Sequence, residues 1–595
     1  MPTVGEVLAV ALDHHQSGRL DQAEDLYGQI LRAMPDCADA LHLQGVLFVQ
    51  TGRAAGGENL IAQAIALDGA NVDYRANLAQ AQRQRGDRLA ALATYGQVVA
   101  LAPRHGPAHL ARAQILEELG RVEEAADTYR LLTRLPYQLA EAQLGLGRCL
   151  LRLDRKEEAE AALRAALAVA PDEVVALVNL GDLLRQQGGH EAEAARLLDH
   201  ALRLRPGLFE AAASRAELHA AMGEMVAAAE AARGLIAAHP TRPEPYGILA
   251  RALRYQGYTA DALKVGARHL TLTPDDPEVA MSMACCHLRL GDYRAGFPLY
   301  RRRWRLTPLP RRHQGVPEWD GRALPGKSLV VWDEQGAGDT ISMLRLLPQA
   351  AARVGRLLFE SPHALSVLWP PALWPGQRQG DVVLRGQPLP LAPDYQIAMM
   401  DLPEALGLTV DTIPWNGPYL SAAPERVAAW RARLADVPGR RVGLLWAGNP
   451  QFPVDAWRSP GLRALLPLLE AHPDVTFIGL QRPEGRGAVD GLTLPPNLLD
   501  LAPEVRDWAD TAAIMTLLDL VITPDTGPAH VAGALGRPVW TMVITDADWR
   551  WMDQRADTPW YPSMRLFRQA TLGDWVPVVA AMSAALATFK GDHAS

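Results

Sequence analysis

One spacing recurs through the first half of the chain: a turn residue every 34 or 35 positions. Prolines and small alanines follow the same period. A unit of this length holds two helices, because glycine permits the tight turn between them and proline ends the second helix. The period predicts nine helix–turn–helix units over residues 4–308. Their turn residues are glycines, with Asp154 in the one remaining place: Gly18, Gly52, Gly86, Gly120, Gly188, Gly223, Gly257 and Gly291.

This period, with its glycine, alanine and proline positions, resembles the tetratricopeptide repeat. Repeats of that family cannot bury their apolar faces alone, so they stack into a superhelix with a concave surface. The resemblance implies that the surface binds a segment of another protein. We expect Asn77 and Asn179, which occupy equivalent places in two first helices, to line this groove with their amides. A passive spacer and a homodimer surface remain open as alternatives.

The composition changes after the repeats. All fifteen tryptophans lie at or beyond Trp304. The last repeat carries bulky Phe297, Tyr300 and Trp304, which favours docking against another domain. Residues 309–325 are rich in proline and arginine and are interpreted as a linker. Beyond them, short apolar runs alternate with helical patterns in two tandem blocks, which predicts two Rossmann-like halves with parallel sheets and a cleft between them.

The whole-chain composition excludes several classes of partner. A net charge of −8 and a pI of about 6.1 give no reason to expect nucleic acid or an anionic membrane. No apolar run is long enough for a membrane span, and the first residues lack a signal-peptide pattern. None of the four cysteines forms a CxxC pair, so neither a metal site nor a disulfide framework is expected. We therefore predict a cytoplasmic protein.

Residues 517–538 combine a strand, a loop and a helix. An apolar run over 517–523 stops at Pro524, a polar loop follows, and a helical pattern over 529–535 ends at a glycine. The first amides of such a helix lack partners and its dipole favours negative charge. The stretch therefore predicts a nucleotide-phosphate pocket around Thr526, Gly527 and His530. An ordinary strand–helix turn, in which Thr526 caps the helix, is the alternative.

Three motifs in the second half resemble the GT-B glycosyltransferases related to the bacterial heptosyltransferases. They are WDEQGAGDT at 332–340, WAGNP at 446–450 with the following Arg458-Ser459, and DTGPAHVAGALGRPVW at 525–540. The whole chain is similar to bacterial proteins that fuse tetratricopeptide repeats to such a domain, and DADWRWM is part of the shared pattern. The expected fold is thus an α-solenoid followed by an α/β GT-B domain. Its predicted parts are the repeats at 1–309, the acceptor-side half at 310–435 and the donor half at 436–595.

The resemblance implies a role for each motif. Asp339 is expected to be the general base that takes a proton from the acceptor hydroxyl, although it could instead cap a helix that begins at Thr340. Gly336, Gly338 and Thr340 form its loop, and the two glycines would let the backbone approach the substrate. No metal is expected. The predicted donor-binding residues are Asn449, Arg458, Ser459, Gln481, Asp525, Thr526, Gly527 and His530.

One departure from the family pattern affects the choice of donor. Many relatives carry a basic His-Lys pair after WAGNP, whereas this chain has Phe452-Pro453. There are three explanations. Arg458 or Arg482 supplies enough positive charge for a diphosphate, the donor carries a single phosphate and needs less positive charge, or the domain has lost its activity. The second explanation fits the repeat-containing flagellin glycosyltransferases, whose donor is CMP-pseudaminic acid.

We therefore predict a nucleotide-sugar-dependent protein O-glycosyltransferase. The repeats would recruit the protein acceptor, with flagellin as the specific hypothesis. A lipid-linked or polysaccharide acceptor and a catalytically inert scaffold are the alternatives. The sequence does not identify the donor, the acceptor or the oligomeric state.

Overall fold

The computed structural model describes residues 3–306, 311–452, 454–482 and 492–590. The chain divides into two compact units, Met1–Leu218 and His219–Ser595. That division falls inside the repeat array, and the predicted domain boundaries at 309/310 and 435/436 stay predictions.

Eighteen helices in nine consecutive pairs make up the described part of the repeats, as the 34-residue period predicts. Those that begin in the first unit are α1 (Val4–Gln16), α2 (Leu20–Ala33), α3 (Ala38–Gln50), α4 (Ala54–Leu67), α5 (Val72–Gln84), α6 (Arg88–Leu101), α7 (Gly106–Glu118), α8 (Val122–Leu132), α9 (Leu139–Arg152), α10 (Lys156–Val169), α11 (Val174–Gln187), α12 (Glu191–Leu204) and α13 (Phe209–Ala221). The remaining five are α14 (Met225–Ala238), α15 (Glu244–Tyr255), α16 (Thr259–Leu272), α17 (Pro277–Arg289) and α18 (Tyr293–Tyr300).

The turns within the pairs adopt the backbone that the sequence predicts. All eight predicted turn glycines have a positive φ, between 73° and 88°, and Asp154 in the ninth turn has φ 55°. The alanines five residues after the turns are buried, as Ala23 and Ala159 illustrate. Small side chains at these places let the second helix of each pair approach its neighbour.

Two parallel sheets form the second half. The four-stranded sheet has the order β3-β2-β1-β4 and the six-stranded sheet the order β10-β9-β8-β5-β6-β7. Counted within each sheet, these orders are 3-2-1-4 and 3-2-1-4-5-6, the Rossmann arrangement. The strands are β1 (Leu324–Trp332), β2 (Val354–Ser361), β3 (Val382–Leu384), β4 (Tyr395–Ala398), β5 (Arg440–Leu444), β6 (Val475–Gly479), β7 (Leu498–Asp500), β8 (Leu520–Pro524), β9 (Val539–Val543) and β10 (Met564–Arg568).

Helices pack against these sheets, as expected for parallel strands that are joined by crossovers. The inner strands β8 and β9 are buried along their whole length, in keeping with their continuous apolar sequences. The helices are α19 (Ala337–Met343), α20 (Leu347–Ala351), α21 (Leu402–Ala405), α22 (Pro424–Arg433), α23 (Asp455–Arg458), α24 (Gly461–Glu470), α25 (Trp508–Thr516), α26 (Gly527–Ala534) and α27 (Val576–Thr588).

The stretch interpreted as a linker is packed against the first sheet. The described part, from residue 311 onward, contains Trp319, which is 2% exposed. The Trp319 N–H donates to the carbonyl of Gln396 in β4, and its indole N–H donates to the carbonyl of Arg322. A buried indole and a backbone link to a strand make this stretch part of the domain. The interpretation as a linker is therefore wrong for these residues, while 307–310 lie outside the described ranges.

The last repeat docks on the second half, as its bulky residues predict. Tyr293 and Phe297 of α18 are buried, and both rings meet Trp549 edge-on, with ring centres 5.8 and 5.5 Å apart. The Tyr293 hydroxyl also accepts a hydrogen bond from the indole N–H of Trp560 at 3.0 Å. Aromatic residues that replace small ones in this repeat thus form its contact with the α/β domain.

Candidate active site

The predicted site loops lie at the switch points of the two sheets. In the first sheet, β1 and β4 are neighbours, and α19 follows β1. In the second sheet, β5 and β8 are neighbours, a loop that begins at residue 445 follows β5, and α26 follows β8. Ligands of open parallel sheets bind at such points, where crossovers leave the sheet in opposite directions.

Asp339 is held between the backbone of its own loop and an arginine of the other half. Helix α19 begins at Ala337, so the predicted start at Thr340 is wrong and Asp339 is the third residue of the helix; the alternative that Asp339 caps the helix is confirmed in this form. Its Oδ2 accepts a hydrogen bond from the Gly336 N–H at 3.1 Å, which caps the helix from within. Its Oδ1 accepts one from Nη2 of Arg550 at 2.9 Å.

The environment of Asp339 shifts its titration. Burial raises the pKa of the Asp339 carboxyl above its usual range, Arg550 opposes the rise, and Asp548 adds to it. The side chain nevertheless keeps 27% of its surface exposed. A carboxylate that is partly desolvated but still reachable has the properties that a general base requires.

The first turn of α19 contacts α26 at close range. A Cβ added at Gly338 would lie 2.5 Å from Cδ2 of His530, and one added at Gly527 would lie 3.7 Å from Cβ of Ala337. Glycine at 338 therefore gives room to the histidine ring, whereas a Cβ at Gly336 would meet only Asp339 Oδ2, at 3.3 Å. The structure thus brings the acceptor-side and donor-side motifs together.

His530 is a buried, neutral side chain. Its Nδ1 lies 3.0 Å from the Tyr561 hydroxyl, and its ring packs against Trp551 with centres 5.2 Å apart and planes tilted by 32°. Burial, with the nearby positive charges of Arg550 and Arg345, lowers the pKa of His530 well below its usual range. A neutral imidazole can donate or accept a hydrogen bond but adds no positive charge for a phosphate.

Asp525, which directly follows β8, is a second carboxylate with altered titration. Burial, reinforced by Asp548, raises the pKa of Asp525 to about 6, against the opposing charge of Arg458. Next in the chain, Thr526 precedes α26, but its side chain does not cap the helix: Oγ1 donates to the carbonyl of Pro524 at 3.3 Å. The capping alternative for Thr526 is therefore wrong.

The loop after β5 lies beside Thr526. A Cβ added at Gly448 would lie 3.1 Å from Cγ2 of Thr526 and 2.5 Å from Nη2 of Arg458. The Gly448 N–H donates to Oγ of Ser459 at 2.8 Å, and Arg458 pairs with Asp455 at 2.9 Å. Arg458 and Ser459 therefore stand next to the start of α26, where the sequence predicts the donor.

The other two predicted donor residues, Gln481 and Asn449, bind backbone groups of their own surroundings with their side-chain oxygens. Oε1 of Gln481 accepts hydrogen bonds from the N–H groups of Trp446 and Ala447, at 3.1 and 2.9 Å, so it shapes the loop after β5. Asn449 is exposed, and its Oδ1 accepts from the Gln451 N–H. No donor contact of either residue is tested, and both roles stay predictions.

At the departure from the family pattern, Phe452 is 49% exposed and its ring lies under the Arg458 guanidinium at 4.7 Å. Pro453 is outside the described residues.

In the repeats, Asn77 and Asn179 are half-buried in α5 and α11. The Asn77 amide nitrogen lies 2.8 Å from Nε2 of His42. Their role in a protein groove stays a prediction.

Sequence reasoning missed the residues that join the two halves of the site. Residues 544–553, here called the 544–553 segment, follow β9 and carry Asp548, Arg550 and Trp551. Arg550 is 1% exposed and contacts both Asp339 and Asp548. The motif DADWRWM, at 546–552, was a visible signal close behind the third motif, but nothing in its spacing assigned it a role.

The fold and these facing loops define a glycosyltransferase of the GT-B class that carries tetratricopeptide repeats. Residues 8–72 and 76–138 match the tetratricopeptide repeat, and residues 492–545 match glycosyltransferase family 9 (heptosyltransferase). The second match includes Asp525 through His530. Residues 136–270, which the structure shows as repeat helices, also match the bacterial transcriptional activator domain.

The chain is similar to two curated proteins. It is 28% identical over 544 residues to Protein FlbA of Caulobacter vibrioides, covering 86% of this chain and 83% of that protein. It is 28% identical over 192 residues to Protein O-mannosyl-transferase TMTC3 of Homo sapiens, covering 32% of this chain and 21% of that protein.

Among solved structures, the C-terminal part of a TPR repeat-containing protein from Cytophaga hutchinsonii is 12% identical, with a TM-score of 0.36, and covers 41% of this chain and 99% of that one. Separately, none of the helices in the described ranges is both long and apolar enough to cross a bilayer.

Proposed function

We propose that the protein is a protein O-glycosyltransferase, in which the repeats hold a protein acceptor and the GT-B cleft transfers a sugar to a serine or threonine. The observation that carries the proposal is the contact of α19 with α26. This contact brings Asp339, at the switch point of the first sheet, next to the start of α26, at the switch point of the second sheet. We propose that the start of α26 binds the donor phosphate.

The proposed step needs one base and one anion-binding site. Asp339 takes the proton of the acceptor hydroxyl, whose oxygen bonds to the anomeric carbon of the donor sugar. The bond from that carbon to the donor phosphate breaks, and its electron pair leaves with the nucleotide. The amides at the start of α26, with Thr526 and Gly527, would stabilise the departing phosphate without a metal.

Charges around the contact favour a donor with a small phosphate charge. Asp339, Asp548 and Asp525 surround Arg550, and Arg458 is paired with Asp455. This set of side chains holds no surplus of positive charge. A single phosphate places one negative charge beside the carboxylates, whereas a diphosphate places two. CMP-pseudaminic acid, which has a single phosphate, is the donor that we propose, and its sugar carboxylate is a second negative charge that the site must accept.

The acceptor side of the proposal rests on the repeats. Tetratricopeptide arrays bind protein segments on their stacked helices, and an array of nine pairs is more than a small acceptor needs. The similarity to a protein named as an O-mannosyl-transferase agrees with a protein acceptor. We propose flagellin as that acceptor and the cytoplasm as the place of reaction.

Intact-mass analysis tests the proposal directly. Purified protein is incubated with flagellin and CMP-pseudaminic acid, and the expected result is a mass increase of one or more sugar residues on flagellin. UDP-sugars and GDP-sugars, with lipid-linked and polysaccharide acceptors, form the comparison. Transfer to a lipid-linked or polysaccharide acceptor alone would contradict a protein acceptor, and transfer only from a diphosphate donor would contradict the proposed donor.

A second candidate function is an inert scaffold. It is favoured by the absence of the basic pair at Phe452 and by the pairing of Arg458 with Asp455, because both reduce the charge available for a nucleotide. Calorimetric titration with UDP-, GDP- and CMP-sugars separates the two. Binding of any of them would contradict the scaffold, and binding of none would contradict the enzyme.

A further inference from the structure

The 544–553 segment links the last repeats to the site. It follows strand β9 and has a short helical turn, Trp549–Trp551, near its middle. One side of the segment contacts α15 and α17 of the repeats, and the other contacts Asp339 and His530. These contacts all lie within the second unit.

On the repeat side, Arg289 of α17 holds both ends of the segment. Its guanidinium donates to the Asp546 carboxylate and to the Thr545 carbonyl at one end. Its Nε donates to Oδ1 of Asp553 at 2.8 Å, and the Asp553 N–H donates back to the Arg289 carbonyl at 3.1 Å. Arg289 is 2% exposed, so these hydrogen bonds meet little competition from water.

A second repeat helix strengthens this attachment. Arg254 of α15 lies 3.3 Å from Oδ2 of Asp546, and the carbonyl of Tyr255 accepts a hydrogen bond from the Thr545 hydroxyl. The carboxylate of Asp546 is thus shared by two arginines of two different helix pairs. Charge-assisted hydrogen bonds of this kind are stronger than neutral ones and fix geometry.

On the site side, the middle of the segment presents Arg550 and Trp551. Arg550 donates to Asp548 of the same segment and to Asp339 across the cleft, at 3.0 and 2.9 Å. The ring of Trp551 packs at a tilt against His530. Arg289 binds both ends of the 544–553 segment, and only a few residues separate those ends from Arg550. Arg550 in turn pairs with Asp339, the proposed base.

We infer, on the basis of the proposed role of Asp339, that the repeat residue Arg289 is a positioning residue for the reaction: it holds the 544–553 segment so that Arg550 stays paired with Asp339. The last repeats are then part of the catalytic unit as well as part of the acceptor-binding array.

The consequence is a change in how Asp339 titrates. The charged and titratable groups facing it are Arg550 and Asp548 from the segment and Tyr300 from α18, while His530 of α26 adjoins the neighbouring Gly338. Arg550 is the positive charge that favours the ionised carboxylate. Its loss or displacement raises the pKa of Asp339 further, because only the Gly336 N–H then opposes burial and Asp548.

Fluorine NMR of the full chain labelled with 5-fluorotryptophan measures this titration without any substrate. Trp549 and Trp551 flank Arg550, and their resonances are assigned by Trp→Phe variants. The titration step that disappears in Asp339→Asn belongs to Asp339. We expect its midpoint to move upward by about 1–3 pH units in Arg550→Gln, the range for loss of an adjacent opposite charge, and by a smaller amount in Arg289→Lys.

Arg289→Lys keeps the positive charge, but its single ammonium nitrogen cannot reach all three acceptors that the planar guanidinium binds with three different nitrogens. Thr545→Val is the milder second variant, which removes only the hydroxyl that binds α15, and it should move the midpoint in the same direction. Arg305→Gln is the matched control, because Arg305 belongs to the last repeat and pairs with Asp275 at the surface; its midpoint should equal that of the wild type. Arg550→Met, which also removes the positive charge, replaces Arg550→Gln should the latter not fold.

Two results would overturn the inference. One is an unchanged midpoint in folded Arg289→Lys and Thr545→Val, and the other is the absence of any Asp339-dependent step between pH 3 and 9. In active protein, the acidic limb of kcat/KM should follow the same order of variants. A wild type that transfers no sugar would contradict the proposed function, while the NMR titration would still decide the role of Arg289.

Discussion

Asp339 could be predicted as a candidate base from its motif, but its ion-pair partner, Arg550, could not. The motif GAGDT marks Asp339 as a candidate base, but its partner comes from a segment about two hundred residues further along the chain. Arg550 is fully enclosed and faces two carboxylates. The pair therefore depends on the way that both halves of the domain meet.

The role of Asp339 is open to a direct test. Asp339→Asn keeps the shape of the side chain but removes its ability to take a proton, so we expect sugar transfer to fall by about 10²–10⁴-fold. Nucleotide affinity, measured by calorimetry, should stay unchanged. Asp320→Asn, at a half-exposed aspartate that pairs with Arg322, is the control and should retain full transfer. Normal transfer by Asp339→Asn would remove it from the mechanism.

Asp525 leads to a prediction about pH. Its folded pKa of about 6 lies above the usual value of 3.8, so the protonated form persists up to about pH 6 and the carboxylate is charged above it. A negative charge next to the donor phosphate weakens binding. We expect nucleotide-sugar affinity to fall as the pH rises from 5 to 7.5, with proton uptake on binding.

Calorimetry in buffers of different ionisation enthalpy measures that proton uptake. Asp525→Asn is the matched variant, since it is uncharged throughout the range and should bind with an affinity that is nearly independent of pH. An unaltered pH dependence in this variant would show that another group is responsible.

At the scale of elements, the approach of α19 to α26 is set by one glycine. A methyl group at 338 would overlap the His530 ring, so we expect Gly338→Ala to cost about 1–3 kcal/mol of stability and to reduce transfer. The cost should shrink in a His530→Ala background, because the overlapping ring is gone. Thermal unfolding and transfer rates measure both effects.

Gly326→Ala is the control for that substitution. Gly326 lies in β1, and a Cβ there would meet nothing within 4 Å, so its unfolding temperature should stay close to that of the wild type. Equal costs of Gly338→Ala in the presence and absence of the histidine ring would contradict the proposed contact.

The repeat turns allow a paired test. Asp154 has φ 55°, a conformation that costs a residue with a side chain about 1–2 kcal/mol. We expect Asp154→Gly to raise the unfolding temperature by an amount equivalent to about 1 kcal/mol or less, since aspartate tolerates this region better than most residues. Gly120→Ala, at φ 74° with open space around it, should lower it by about 1 kcal/mol. Changes of the same sign would contradict the turn assignment.

In the whole molecule, the last repeats differ from the early ones because the last repeats are packed against the α/β domain. Pairs at the end of the array, represented by Arg289 and Tyr293, are buried against the α/β domain. The first unit, up to Leu218, contains Asn77 and Asn179. Removal of early and late repeats should therefore have different consequences.

Deletion of residues 1–206 leaves α13 and all later elements intact. We expect the shortened protein to fold and to bind nucleotide sugar as tightly as the full chain, but to modify its protein acceptor poorly. Deletion of residues 1–303 removes Arg289 and Tyr293 from the domain surface, and we expect insoluble protein. Circular dichroism, calorimetry and intact-mass analysis separate these outcomes. Full acceptor modification without residues 1–206 would contradict the recruiting role of the early repeats.

Local patterns predicted much of this architecture. The 34-residue period identified nine helix pairs, down to the positive φ of Asp154, because turn and packing constraints repeat at short range. The strand β3, at 382–384, is one of the short apolar runs that alternate with helical patterns, and such a run between turn residues is a local signal. The strands β7 and β10 and the helix α27 were missed. Strand β10 carries two arginines among its five residues and α27 is apolar along most of its length, so neither shows a clear strand or amphipathic-helix period.

The helix pairs, the two parallel sheets and the motifs at their carboxyl ends could all be predicted, because they follow from spacing within a few tens of residues. Three features became visible only in the folded molecule: Gly338 makes room for His530, the residues from 311 onward pack as part of the domain, and Arg550 pairs with Asp339. Each of these depends on side chains that are distant in sequence and meet through packing, which short-range periodicity does not encode. The link from Arg289 through the 544–553 segment to Asp339 is of this second kind.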